Sequence, residues 1–383
     1  MKTKWVTCVI LMILFGLAIN SNSVAVPTVG IDRVRNKSIL DDQDKTVIDE
    51  FLAEAIRELL ITRDFTSIAK TRTVILNRQK SSQGQYTMWY SELVRKHIQE
   101  GFKQAQTITP QERQDKVLVN LLILIDGLHD LQLADLAISV LNNQNMVIRY
   151  WAVHCLTNPA IVQQLNSSTT SGSISARTIA EQLNELIESS NPEILVQIAR
   201  YAAMLNIPQG EELLSRIADV RIERYADWTV KHELYDITIL KLLTSKMTSA
   251  STDPGRPTTT NSKPEVARRF AQLYSYVLQR YVKGRDILNS TQKQHLASVL
   301  VEIEEKCINK LMDISQPIIR RTLERENIET LMDEHNRLLG TETTPGELPT
   351  KLGFNYNTTL TGTIRTAPLP LPDPPQKSTP EEN

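Results

Sequence analysis

Glycine is scarce in this chain, 13 residues in 383, and its scarcity removes most of the tight turns that hairpin-rich sheets require. Leu, Ile, Ala, Glu, Gln and Arg are plentiful instead, a bias toward helix. An excess of charge of either sign is also lacking. With 43 basic and 44 acidic side chains the net charge is −1, so no strong field draws in nucleic acid. No Gly-rich phosphate loop and no Gly-x-Ser-x-Gly elbow occurs, which removes the sequence basis for nucleotide binding and for an α/β-hydrolase nucleophile. Paired Glu-x-x-His motifs, which a di-metal helical bundle needs, are missing as well. What remains is ordinary for a folded chain, 41% hydrophobic and 23% charged, with length for two domains or one elongated repeat array.

The first 25 residues carry an export pattern. Lys2 and Lys4 precede a greasy run from Trp5 to Ile19, and Ser23-Val24-Ala25 forms a small-x-small cleavage site. The run is shorter than the roughly 20 apolar residues of a comfortable membrane span, so cleavage after Ala25 is expected and a periplasmic or extracellular location with it. An uncleaved anchor is the alternative, and the only route to a membrane. Loss of Lys2 and Lys4 takes the net charge from −1 to −3. Cys155 and Cys307 remain. An exported chain could join them, though nothing places them together, and two buried free thiols are an equal reading.

Residues 26–43 are expected to be a flexible lead-in, and 44–340 a helical domain. Ile48, Phe51, Leu52, Ala55 and Leu59 recur three or four apart, as on one helix face. Thr109 and Glu112 read as a capping box with Pro110 at the first helical position. The Ser/Thr-rich stretches 166–175 and 248–263 read as surface loops, the second a place where the domain could subdivide. Residues 341–383 end in APLPLPDPPQKSTPEEN, whose prolines forbid helix, so a disordered Pro-rich tail is expected, with a docking peptide as the alternative.

Three stretches resemble one another: NMVIRYWA (145–152), PEILVQIA (192–199) and PEVARRFA (264–271). Each follows a polar turn and opens an apolar helix, and their final alanines stand 47 and then 72 residues apart. Over about 130–270 the chain resembles HEAT-like helical repeats, whose helix pairs run roughly 40–47 residues. Ile148, Arg149 and Ala152 match the family's Val-Arg…Ala pattern, and Leu156 continues the inner face. Val196, and Ala267 or Arg268, stand where the other copies should carry the Arg. The resemblance implies an all-α fold of stacked antiparallel helix pairs, α-solenoid-like, that binds another protein and performs no chemistry.

Candidate chemistry is weighed against packing. His154 and Cys155 are adjacent, but neighbours on a helix point about 100° apart, so no thiolate–imidazole pair forms. Ile148, Trp151, Ala152, Cys155 and Leu156 read as a buried stripe with His154 at its edge. Asp126 with His129, and Asp333 with His335, are weak metal candidates. KHELYD (231–236) begins like a zinc-protease helix, but Asp236 occupies the second histidine's place. Glu302, Glu304 and Glu305 read as a polar face with a Glu302–Lys306 pair. Tyr86, Trp89 and Tyr90, and Phe270 with Tyr274, fall at packing intervals. Tyr276 and Arg280 lie opposite and, with Arg149 and His154, are the candidate partner contacts. No cofactor or metal is expected. The runner-up is a glycan-active lyase or glycosidase on a helical toroid or superhelix, recognisable by convergent carboxylates or a Tyr/His/Arg cluster. The amphipathic stretch 290–339 could also support self-association.

Overall fold

The computed structural model describes residues 26–79, 84–167, 170–248, 262–313, 317–358 and 364–375. The signal sequence expected over 1–25 and most of the 248–263 loop lie outside them. The chain is helical almost throughout, apart from a two-stranded antiparallel hairpin near its end. It divides into two compact units after Cys155, rather than near 248–263.

The first unit holds α1 (Val29–Arg35), α2 (Asp42–Ile61), α3 (Phe65–Leu76), α4 (Gln85–Ala105), α5 (Gln111–Leu128), a 3₁₀ turn, α6 (Ala134–Ile138) and most of α7 (Met146–Thr157). The lead-in expected over 26–43 is ordered: α1 buries Ile31 and Val34, and Asp41 and Asp44 close a capping box that starts α2. Ile48, Phe51, Leu52, Ala55 and Leu59 are all buried, as their spacing implies. α5 starts one residue later than expected. Pro110 is extended and occupies the cap position without a side-chain hydrogen bond, so Thr109 and Glu112 do not form their box.

The second unit runs through α8 (Pro159–Asn166), α9 (Thr170–Leu186), α10 (Pro192–Met204), α11 (Pro208–Ala226), α12 (Tyr235–Thr248), α13 (Ser262–Lys283) and α14 (Ser290–Ile303). After a π-helical turn (Glu304–Ile308) come α15 (Asn309–Met312), α16 (Ile318–Glu324), α17 (Ile328–Leu339), α18 (Glu347–Leu352), β1 (Tyr356–Thr358) and β2 (Ile364–Arg365). α9 overturns the loop expected over 166–175, since it begins at Thr170 and buries Ala176, Ile179, Ala180 and Leu183. Helices pack against the next and the next but one: α10 meets α11 and α12, α11 meets α13, and α12 meets α13 and α14. That is the contact pattern of stacked helix pairs.

α13 is the centre of this unit. α11, α12, α14, α17 and α18 all pack on it, and every residue from Ala271 to Arg280 is buried. A helix buried all round has no solvent face. Tyr276 and Arg280, expected as partner contacts, are therefore interior residues, each 3% exposed. The stretch 290–339 likewise buries Leu296, Val299, Leu300, Ile303, Leu331, Leu338 and Leu339 within the unit.

The π turn reassigns the three glutamates. Glu304 is buried and accepts the Ile319 and Arg320 backbone N–H groups at 2.6 and 3.0 Å, satisfying the start of α16. Glu302 pairs with Lys241 at 2.6 Å and Glu305 with Arg320 at 2.6 Å. The single polar face gives way because the π turn shifts the residues after Ile303 off the ordinary helical register.

Candidate functional site

Two places gather chemistry, one in each unit. In the first, α7 is fastened to α5 at both ends. Asn145 caps α7 by accepting the Val147 N–H at 2.9 Å, and its amide donates to Asp115 at 2.8 Å. Toward the other end the Cys155 thiol donates to the Leu122 carbonyl at 3.1 Å and His154 Nδ1 meets Asp126 Oδ1 at 2.9 Å. Ile148, Ala152 and Cys155 are buried. Trp151, expected among them, is half-buried, and Val153 is fully buried. Burial pushes the Cys155 thiol far above its ordinary range, which favours the thiol over the thiolate. Cys155 and Cys307 are both free and buried.

Another side of α7 carries partly exposed residues. Met146 and Val147 are 50% and 52% exposed, and Tyr150, Trp151 and His154 are half-buried. Trp151 lies 5.1 Å from the His154 ring and 5.9 Å, edge-on, from Tyr150. These five positions fall at i, i+1, i+4, i+5 and i+8, so they share one side of the helix. Arg149 is half-buried, with its Nε lacking a hydrogen-bond partner among the described residues.

The hydrogen bond that His154 donates to Asp126 raises the His154 pKa above its ordinary value, against the opposing effect of burial. The unfolded histidine titrates near 6.5. A raised folded value contributes stability that is fully present below that pH and lost as pH rises through the folded value. Urea melts should therefore show wild-type stability falling from pH 6 to 8 more steeply than that of Asp126→Asn. Parallel curves would disprove the linkage.

The second place surrounds α13. KHELYD is not a metal helix: His232 has a positive φ of 54° in the loop before α12, and Glu233 and Asp236 turn inward. Arg221 from α11 grips Asp236 through two hydrogen bonds of 2.7 and 2.8 Å, and the Tyr225 hydroxyl donates to Asp236 at 2.7 Å. Arg221, Tyr225 and Asp236 are fully buried. Burial pulls the Arg221 pKa down, but Asp236 outweighs it and holds the guanidinium above its ordinary value. Arg280 lies over the Trp228 and Tyr225 rings at 5.1 and 5.9 Å, with Glu233 3.8 Å away. His295 is 3.8 Å from the other Glu233 oxygen. No sequence signal assembled this cluster, because its members come from four helices and a loop.

The chain's own proline-rich end crosses α13. Gln272 grips Leu369 twice, accepting its N–H at 2.7 Å and donating to its carbonyl at 3.2 Å. Gln279 Oε1 accepts the Leu371 N–H at 2.7 Å. Lys283 donates to the Leu371 carbonyl at 2.6 Å and pairs with Asp373 at 2.8 Å. From the loop after α11, the Trp228 indole N–H donates to the Pro372 carbonyl at 3.0 Å. Leu371 is 1% exposed. The Gln279 amide is oriented from below: its Nε2 donates to Ser275 Oγ at 2.8 Å, and Ser275 meets His335 Nε2 at 2.8 Å. The expectation of a disordered tail from 341 onward thus fails for α18, the hairpin and residues 366–375. Prolines exclude helix, but the backbone groups of the intervening leucines remain free for side-chain partners.

Among the described residues no group of three or more His, Cys, Asp or Glu could hold a metal ion, and no helix is long and apolar enough to cross a membrane. The chain matches no family model, and no curated protein is similar to it. One solved structure, of an engineered protein, is 15% identical over 67% of this chain and 97% of its own, with a TM-score of 0.27. Another engineered protein is 14% identical over 80% of this chain and 97% of its own, with a TM-score of 0.20. Similarities that low carry no argument about fold or function.

Proposed function

We propose that the protein is an exported, non-enzymatic scaffold of HEAT-like helical pairs that docks another protein on the exposed side of α7. The observation that carries this reading is the patch of Met146, Val147, Tyr150, Trp151 and His154 on a helix clamped from behind. Trp and Tyr dominate binding energy at interfaces because they bury large surfaces at low entropic cost. Next-but-one helix packing supports stacked pairs. The three similar stretches do not mark equivalent helices, since α7, α10 and α13 are every third helix whereas a pair recurs every second. Export rests on Lys2, Lys4, the Trp5–Ile19 run and Ser23–Ala25.

The test is photo-crosslinking from position 150 in the native envelope fraction, followed by titration of the captured protein against Trp151→Ala. Loss of at least ~30-fold in affinity is expected, the effect of removing an interface hot spot. Equal capture by a folded Trp151→Ala chain would remove the reading. The glycan-active alternative draws on the cluster around Asp236. There the Asp236 carboxylate is held by Arg221 and Tyr225, and all three are fully buried, so a substrate has no access to them.

A further inference from the structure

We infer that the α13 groove is a recognition site for proline-rich segments of the pattern Pro-Leu-Pro-Leu-Pro-Asp, occupied here by residues 368–373 and open to the same pattern on a separate polypeptide. This deepens the protein-binding reading above and rests on it, but uses a different surface.

Four side chains hold the segment, and most of their hydrogen bonds go to its main chain. Gln272 takes both backbone groups of Leu369, Gln279 and Lys283 take those of Leu371, and Trp228 takes the Pro372 carbonyl. Between Pro368 and Pro375 the residues that still carry an N–H are Leu369, Leu371 and Asp373, and the groove satisfies the first two. The Leu371 side chain supplies the buried anchor, and Lys283 reads the acid two residues later. Proline flanking pre-extends such a strand and lowers the entropy lost on binding, which is how aromatic-lined grooves select proline-rich chains.

The groove is itself preorganised. Gln272 and Gln279 are 8% and 7% exposed, and Ser275 with His335 sets the Gln279 amide so that its oxygen faces the strand. Trp228 sits at a positive φ of 58°, a conformation costly for a bulky residue and held where surrounding contacts over-determine it. Among the described residues the hydrogen bonds to the segment go to its backbone or to Asp373 and its buried side chains are Pro368 and Leu371, so an untethered chain of the same pattern reproduces the set. The resident copy competes through its tether, which gives it an effective concentration of order millimolar.

The test uses the full chain and a fluorescent peptide of residues 366–375. Leu371→Asp in the protein evicts the resident segment. That variant should bind the wild-type peptide at least ~30-fold more tightly than the unmodified protein does. The same peptide carrying Leu371→Asp should not bind, and adding Gln279→Ala to the protein should abolish binding while circular dichroism stays helical. Absence of binding to the folded Leu371→Asp protein overturns the inference. So does a concentration-dependent dimer of the unmodified protein that Leu371→Asp dissolves, which would make the occupant a second copy. Either result leaves docking on α7 unaffected, because the Trp151→Ala titration reads that separately.

Discussion

Replacing Asp236 with alanine is expected to cost about 3–5 kcal/mol, the range for removing one partner of a buried ion pair. The reason is what stays behind. Arg221 is fully buried, its head group held by Asp236 and, through a 3.2 Å bond, by the Lys231 carbonyl. Without the carboxylate the guanidinium remains charged in a site that water does not reach, and Tyr225 loses its acceptor. Asp236→Asn keeps the shape but not the charge and should retain most of the loss. Tyr225→Phe removes one hydrogen bond to a charged group and should cost about 1.5–3 kcal/mol. Urea melts of the three variants give the order. Against a typical total of about 5–15 kcal/mol, Asp236→Ala is the most damaging of them. A loss below that of Tyr225→Phe would show that Arg221 finds another partner.

Placing aspartate at Leu371 should release the end of the chain from α13 while leaving the helices folded. Burying a leucine and then truncating it costs about 2–5 kcal/mol, and a carboxylate in that apolar site costs more. The contact is local, so the loss appears as undocking rather than global unfolding. In the unmodified protein the Leu369 and Leu371 amides are bonded to Gln272 and Gln279 and should exchange slowly with deuterium. In Leu371→Asp they should exchange at least ~30-fold faster, since each 1.4 kcal/mol is a factor of ten. Unchanged protection at these two amides would mean that the leucine side chain is not what holds the segment.

Much of the helical content was legible because it rests on local chemistry. Ile48, Phe51, Leu52, Ala55 and Leu59 recur at helical intervals and are buried together; Phe270 and Tyr274 do the same, stacked at 6.2 Å. Asn145 and Pro192 signal helix starts that the structure contains. Where the reading went astray, the deciding contact lay far off in sequence. The Ser/Thr-rich start of α9 has low helix propensity, overridden by burial of its later apolar face. Glu304 looked like one of three surface acids until the start of α16, 15 residues on, supplied two N–H donors.

Tyr276 and Arg280 show the limit most plainly. Helical spacing sets Tyr276 off the stripe of Phe270, Leu273, Tyr274, Val277 and Leu278, although Arg280, seven residues after Leu273, shares its edge. It could not say that the other side would also be covered, since helical phase reports which residues share a face and not what lies against it. The candidate sites divide the same way. Arg149 and His154 could be proposed because they flank a local stripe on one helix. The grip on residues 369–373 was invisible, since Gln272 and Leu369 meet across 97 positions, and glutamine carries no motif.

Local pattern determined that this chain is helical, where many of its helices begin, and that its prolines would end in extended backbone. Only the tertiary structure decided that α13 would be enclosed on every side, that Asp236 would face Arg221, and that the proline-rich end would have somewhere to lie. The first set follows from interactions among neighbours within a few residues. The second follows from which surfaces exclude water together, which no short window of residues specifies.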